Sequence, residues 1–268
     1  MEINYQDKVF KSKNELYEFL KENKSVLITQ KRMELKKCDL VAYNTITANY
    51  QEKSINQNSE VLNVTAITNI TNWLDSHRDV HVKGIWNKTL KENKNLFFLQ
   101  EHYNQFDKII ADFRDIKAYV KEINLNELGI NSNISAEALI FNVNIRQKRN
   151  PFMFDQYKNG YVTNHSVGMI PIKVELAINN KDYEEEYDNY NKYINEIANK
   201  NEAKELGYFW IIKEAKLIEA SAVPIGSNII TPTIDVQPLE STEDKSQSSS
   251  YNMEVEYLKY IVKHFKIN

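Results

Sequence analysis

The spacing of apolar positions changes several times along the chain, and each change marks an element. In residues 11–24, KSKNELYEFLKENK, Leu16, Phe19 and Leu20 share one face at helical spacing, which predicts a short helix. Runs rich in β-branched residues follow at Val26 to Thr29, Cys38 to Thr47 and Glu60 to Ile67. These read as strands, with the polar stretch around 51–59 as a loop between the last two. NKTLKEN, 87–93, reads as one or two helical turns, and Leu96 to Gln100 as a short buried strand. Asp112 to Ile123 fits either a strand or a helix. Residues 123–134 are turn-rich, with a helical turn expected near SAEAL. Ala138 to Ile145 alternates, with Ile140, Asn142 and Asn144 on one face and Leu139, Phe141 and Val143 on the other. Gly160 marks a turn. Ser166 to Ala177 is a strand that alternates strictly at Ile170, Ile172, Val174 and Leu176. Residues 181–205 predict one polar helix with a partial stripe of Tyr187, Tyr190, Tyr193, Ile194 and Ile197. Tyr208 to Val223 reads as a long strand broken in its middle by KEAK.

Strands dominate the middle, and helices sit between them and at both ends. That order predicts an α+β fold, a mostly antiparallel sheet or β-barrel with peripheral helices. Four units follow: an N-terminal helical segment (1–25), a β-barrel domain (26–237), a solvated Ser-rich linker (238–252) and a C-terminal amphipathic helix (253–268). In the last, Val255, Leu258, Ile261, Val262 and Phe265 are spaced for one face. Docking of that face on a partner, self-association through it and packing back on the barrel are all open.

Composition narrows the function. With 42% hydrophobic and 26% charged residues, the chain reads as globular, which excludes collagen, coiled coil and wholesale disorder. No apolar run is long enough to cross a membrane, so no membrane partner is expected. The N-terminus, MEINYQDKVF, lacks the apolar core of a signal peptide. The lone cysteine, Cys38, can form neither an internal disulfide nor a cysteine metal cluster, so a reducing, intracellular place of folding is expected. A net charge of −3 with no basic stripe argues against a nucleic-acid partner. The chain has 6 glycines and neither GxGxxG nor GxxxxGK[ST], so no nucleotide cofactor is called for.

Three residues stand where chemistry could be done. His102 ends the apolar run LFFLQ, and a strand end holds a side chain firmly while leaving it reachable. Ser166, in TNHSVGM, opens an alternating strand, and Gly168 after it leaves room for a substrate chain to approach. Glu219, in LIEASAV, is a carboxylate inside an apolar run, which is costly unless paired or solvated. Period two puts Glu219, Ser221 and Val223 on one face. Each residue also has a plainer reading: a surface histidine, a turn serine, an outward-facing glutamate. Serine, histidine and carboxylate far apart in sequence can meet as nucleophile, base and orienter. Asp75, His77, Asp79 and His81 have the residue types of a metal site. The H-x3-H spacing would need a helix there, which Val80, Val82 and Gly84 oppose, so no metal is expected. Glu184, Glu185, Glu186 and Asp188 read as a solvated helix face.

Four segments, in order, give the chain a resemblance to the tailed-phage (caudovirus) prohead proteases, the capsid maturation serine proteases. DSHRDVHVKGIWNKTLKEN (75–93) resembles the family's turn leading through Gly into a short helix. LQEHYNQF (99–106) resembles its strand ending in the catalytic histidine, with Tyr103 where Asp is common. NGYVTNHSVGMIPIKVELA (159–177) resembles its strand bearing the nucleophile in Ser-[Val/Ile]-Gly. LIEASAVPIGSN (217–228) resembles its Leu-x-Glu-Val-Ser-x-Val…Pro-Ala-Asn signature, with Ala220 for Val and Gly226-Ser227 for Pro-Ala.

The resemblance spans about 60–230 and implies a herpesvirus-assemblin-like (herpesvirus-protease-like) β-barrel. It implies a serine endopeptidase that cuts scaffold and capsid-protein extensions inside the assembling prohead in the host cytoplasm, with self-cleavage and no cofactor. Phage scaffold and major capsid protein would be its substrates. Carried over by position, Ser166 is the nucleophile, His102 the general base and Glu219 the residue that orients the imidazole. His165, beside the nucleophile, is either a spectator or a rival base, and strand alternation favours His102. The departures at Tyr103, Ala220 and Gly226 keep a second reading open, a catalytically inactive scaffolding or structural capsid protein on the same barrel. A metal hydrolase using His77, Asp79 and His81 is a third.

Overall fold

The computed structural model describes residues 3–33 and 59–239. A hairpin, β1 (Ile3–Tyr5) and β2 (Lys8–Phe10), precedes two helices, α1 (Lys13–Glu22) and α2 (Lys24–Met33). Next come β3 (Val61–Ile70), β4 (Asp79–His81), α3 (Asn87–Glu92), β5 (Phe97–Gln100), β6 (Ile109–Asp112), β7 (Ile116–Asn124) and β8 (Ser135–Arg146). The order closes with α4 (Pro151–Lys158), β9 (Asn164–Ile178), α5 (Glu184–Tyr193), α6 (Lys200–Leu206), β10 (Tyr208–Val223) and β11 (Thr233–Pro238). The expectations for Cys38 to Thr47, the loop at 51–58, Cys38 itself, the linker beyond 239 and the C-terminal helix lie outside the described residues.

The fold is α+β. Besides the hairpin there are two larger sheets. One is four-stranded and antiparallel, in the order β11-β3-β8-β7. The other is five-stranded and mixed. Its long central strand β10 pairs antiparallel with β9 along one edge and parallel with β4 and then β5 along the other, and β6 pairs with β5. Among the described residues the strands do not close into a barrel, which corrects that expectation. The reason is that β6, β7 and β11 are sheet edges, and the sheets are joined only by an isolated bridge between Asn164 and Pro232, not by a paired ladder. The sheets meet instead through side chains: Phe98 of β5 stacks on Phe141 of β8 at 6.0 Å between ring centres. Leu16, Leu20 and Leu27 of the two N-terminal helices are buried in that same core. None of the described helices is long and apolar enough to cross a membrane.

Local signals decide most elements. Ser12 caps α1 through its side chain, accepting from the Glu15 N–H, and Leu16 and Leu20 fill the core from the predicted face. Val26 to Thr29 is helix rather than strand. Lys24, Leu27, Ile28 and Lys31 fall on one helical face, where Leu27 is buried, Lys24 reaches Glu185 and Glu186, and Lys31 reaches Asp79. Those contacts outweigh the weak strand preference of β-branched residues. Asp112 to Ile123 resolves as the end of β6 followed by most of β7, and SAEAL is strand, the start of β8. The single helix expected over 181–205 is two. Between them Ile197 is fully buried, and the Asn199 amide brackets both the N–H and the C=O of Leu74, at 2.9 and 3.0 Å. KEAK does not break β10; it produces bulges there, with Glu214 paired to Lys88 and Lys173. The acidic helix face is only partly solvated. Glu186 is wholly buried and takes Lys21 at 2.7 Å and Lys24 at 2.8 Å, because an unpaired buried carboxylate would be prohibitive.

Candidate active site

Position 166 of β9 lies opposite Ser221 of β10, and Gly168 lies opposite Glu219. Residues paired across a sheet show their side chains on one face, as do residues two apart on one strand. Ser166, Ser221 and Glu219 therefore share a face, with the bare backbone of Gly168 among them. A bulge between Leu217 and Glu219 makes this possible. Leu217 pairs with Met169 and turns into the core, whereas Glu219, two residues on, pairs with Gly168 and turns to the other side. An inserted residue re-aims a side chain in this way at many functional sites.

His102 closes over that face. β5 runs parallel to β10 as far as Gln100, level with Ala222. The chain then reverses through Glu101 and His102, both with left-handed φ, +52° and +60°, and the Tyr103 N–H returns to the Gln100 carbonyl at 3.0 Å. Two positive φ values at the centre of a turn define type I′, a geometry that suits glycine and asparagine better than glutamate or histidine. The turn puts the His102 imidazole against Glu219, with Nδ1 2.7 Å from Oε1. The side chains are 14% and 6% exposed, so the pair is screened from water but reachable. The His102 backbone N–H donates to Ser221 Oγ at 3.1 Å, and Ser221 Oγ donates to Glu219 Oε2 at 2.5 Å.

The structure thus brings His102 and Glu219 into contact and puts Ser166 on the adjoining strand, facing the same way. Ser166 and His102 do not hydrogen-bond. Neither Ser166 Oγ nor His102 Nε2 bonds to another described residue, and Ser166 is 9% exposed. Beside Ser166 lies a small polar space of about 10 Å³, room for about one water molecule, bordered by Asn69, Asp75, His81, Met169 and Asn228. Gly168 makes room for something other than the expected substrate: a Cβ there would collide with the Glu219 carboxylate, its carboxyl carbon 2.9 Å away.

His165 points to the other face and is fully buried. Its Nδ1 donates to the Thr231 carbonyl at 3.0 Å, Nε2 accepts from the Tyr157 hydroxyl at 3.0 Å, and Phe98 stacks on the ring. Burial pulls its pKa down to about 4, against a smaller upward pull from the Thr231 carbonyl. It is a neutral core residue and no rival base.

The metal-type residues regroup. Asp75, Asp79 and His81 hold ligand atoms within 4.8 Å of one another, and His77 is outside that group. Asp79 Oδ1 holds the Lys31 ammonium at 2.6 Å, and Asp75 Oδ1 accepts the backbone N–H groups of His77 and Asp79 at 2.9 Å each. A lysine thus supplies positive charge there, and β4 is a strand, as Val80 and Val82 require.

Sequence reasoning missed the hydroxyl of Ser221 and the bulge behind Glu219. The only signal for Ser221 was its place two residues after Glu219 on one face.

No family model, no curated protein and no solved structure matches the chain.

Proposed function

We propose that the protein is a serine endopeptidase of tailed-phage capsid maturation, acting in the assembling prohead on scaffold and capsid-protein extensions, on a herpesvirus-protease-like fold. One observation carries the catalytic part of this reading: a shielded imidazole–carboxylate pair, His102–Glu219, lies over the sheet face that bears Ser166. The substrate class and the setting rest on the sequence resemblance.

The chemistry follows from the atoms. With Nδ1–H committed to Glu219, the Nε2 lone pair is the basic site. As Ser166 Oγ attacks the scissile carbonyl, its proton passes to Nε2, and the Glu219 carboxylate stabilises the imidazolium. The imidazolium returns that proton to the departing amine, leaving an acyl-Ser166 ester. Water, deprotonated by the same imidazole, releases the new carboxylate and regenerates Ser166. This step requires Ser166 Oγ to meet Nε2, a hydrogen bond that on this reading forms when substrate binds, since catalytic hydrogen bonds often tighten only in the complex.

The unmade Ser166–His102 hydrogen bond is also what a catalytically silent capsid protein on the same fold would have. Intact mass spectrometry separates the two readings. Wild type and Ser166→Ala are each co-expressed with the neighbouring capsid and scaffold proteins, and procapsids are examined as well. Discrete cuts that vanish with Ser166→Ala are expected; uncut, identical mixtures from both, procapsids included, give the structural reading.

A further inference from the structure

We infer that Ser221 is a positioning residue: its hydroxyl locks the imidazole of His102 and the carboxylate of Glu219 into one orientation. The inference rests on the peptidase reading for its kinetic consequence, though not for its geometry.

A serine hydroxyl has one proton to give and two lone pairs to accept with. Ser221 Oγ gives its proton to Glu219 Oε2 at 2.5 Å and accepts the His102 backbone N–H at 3.1 Å. The other carboxylate oxygen, Oε1, takes His102 Nδ1 at 2.7 Å. These bonds make a closed circuit from the His102 backbone through Ser221 and Glu219 to the His102 ring. An imidazole held at its ring alone can still swing with its main chain, and a carboxylate held at one oxygen can still turn about its Cγ–Cδ bond. The circuit removes both freedoms.

Two further observations fit this role. Glu101 and His102 hold left-handed backbone without being glycine, a conformation that persists only where the surroundings enforce it. The hydroxyl of Ser221 reaches the amide of the second of them. Ser221 is also wholly buried, and its proton goes to a carboxylate in the shortest class of hydrogen bond. It is therefore unsuited to attack a substrate, whereas the hydroxyl of Ser166, opposite it, is uncommitted.

The test uses the full-length chain. Ser221→Ala removes the hydroxyl. Ser221→Thr and Ser221→Val form a second comparison, alike in shape and differing only in the hydroxyl. Two quantities are read: kcat and KM on a capsid-extension peptide cut by wild type, and the low-field proton resonance of His102 Nδ1–H, assigned by its loss in His102→Gln. In Ser221→Ala and Ser221→Val, kcat falls about ten- to a hundredfold with KM within about twofold. The Nδ1–H resonance moves upfield or broadens in both, and Ser221→Thr restores rate and resonance together. A Ser221→Val enzyme with wild-type kcat and an unshifted Nδ1–H signal would overturn the inference. If Ser166→Ala leaves processing untouched, the peptidase reading is what has failed, and the resonance alone still decides whether Ser221 holds the histidine.

Discussion

His102 and His165 lie on opposite sides of the ribbon formed by β9 and β10, and their surroundings could hardly differ more. His165 is next to Ser166 in sequence yet sits in an aromatic core, neutral, with both ring nitrogens bonded to neutral partners. His102 is far from Ser166 in sequence, reaches the serine's face from another strand, and touches a carboxylate. In a strand, neighbouring positions belong to different environments, and residues brought from far away share one. What a histidine can do is set by its burial and its partners, not by the residue beside it.

The comparison can be broken most decisively on the polar side. Glu219→Gln keeps the shape and removes the charge that stabilises the imidazolium. Peptide cleavage is expected to fall by roughly 10³–10⁴-fold with the fold intact by circular dichroism. A fall of less than tenfold would mean that His102 works without Glu219.

On the buried side the expected effect is on stability. Because the folded-state pKa of His165 is about 4 against an ordinary 6.5, only the unfolded chain is protonated there between those values. Stability from the neutral ring is whole above pH 6.5 and is lost as pH falls through that window, by up to about 3 kcal/mol. Urea unfolding of wild type and His165→Gln at pH 7, 6, 5 and 4 reads this directly. The variant's slope should be shallower by up to about 1.4 kcal/mol per pH unit, and parallel slopes would place the ring's proton elsewhere.

A smaller effect tests the contact between the strands. Gly168→Ala drives a methyl group against the Glu219 carboxylate, whose flexible end can yield only by leaving His102. Activity should fall about ten- to a hundredfold, with a loss of stability on the order of 1 kcal/mol. Wild-type rates in this variant would show that the carboxylate can move without consequence.

Much of this was legible in the chain itself. The alternation in 138–145 and the helical spacing of Leu16 and Leu20 each respond to one buried surface, so local pattern suffices there; in 166–177 the pattern gives the strand but not a buried face, since Ile172 is exposed while Leu176 is buried. His102 was visible as the end of an apolar run, Ser166 as the opening of an alternating strand just before Gly168, and Glu219 as a carboxylate inside an apolar run. What stayed hidden depends on contacts between distant segments. α2 is helical because Lys24 and Lys31 find carboxylates from other parts of the fold. Glu186 is buried because two lysines from the N-terminal helices reach it. β6, the hairpin, α4 and β11 are short and weakly patterned, and neighbouring strands and core contacts decide them. The bulge behind Glu219 is a two-strand property, and period two read along one strand cannot reveal it.

β5 and β9 do not pair with each other; each is held by β10, which is synthesised after both. A nascent chain that has emerged only as far as β9 carries the histidine and the serine, but not the carboxylate or the strand that sets them side by side. On the peptidase reading, translation would therefore separate the making of the nucleophile from its activation. A chain that stops short of residue 219 would, on that reading, lack the carboxylate that activates the histidine, so cleavage would begin only after β10 has been made.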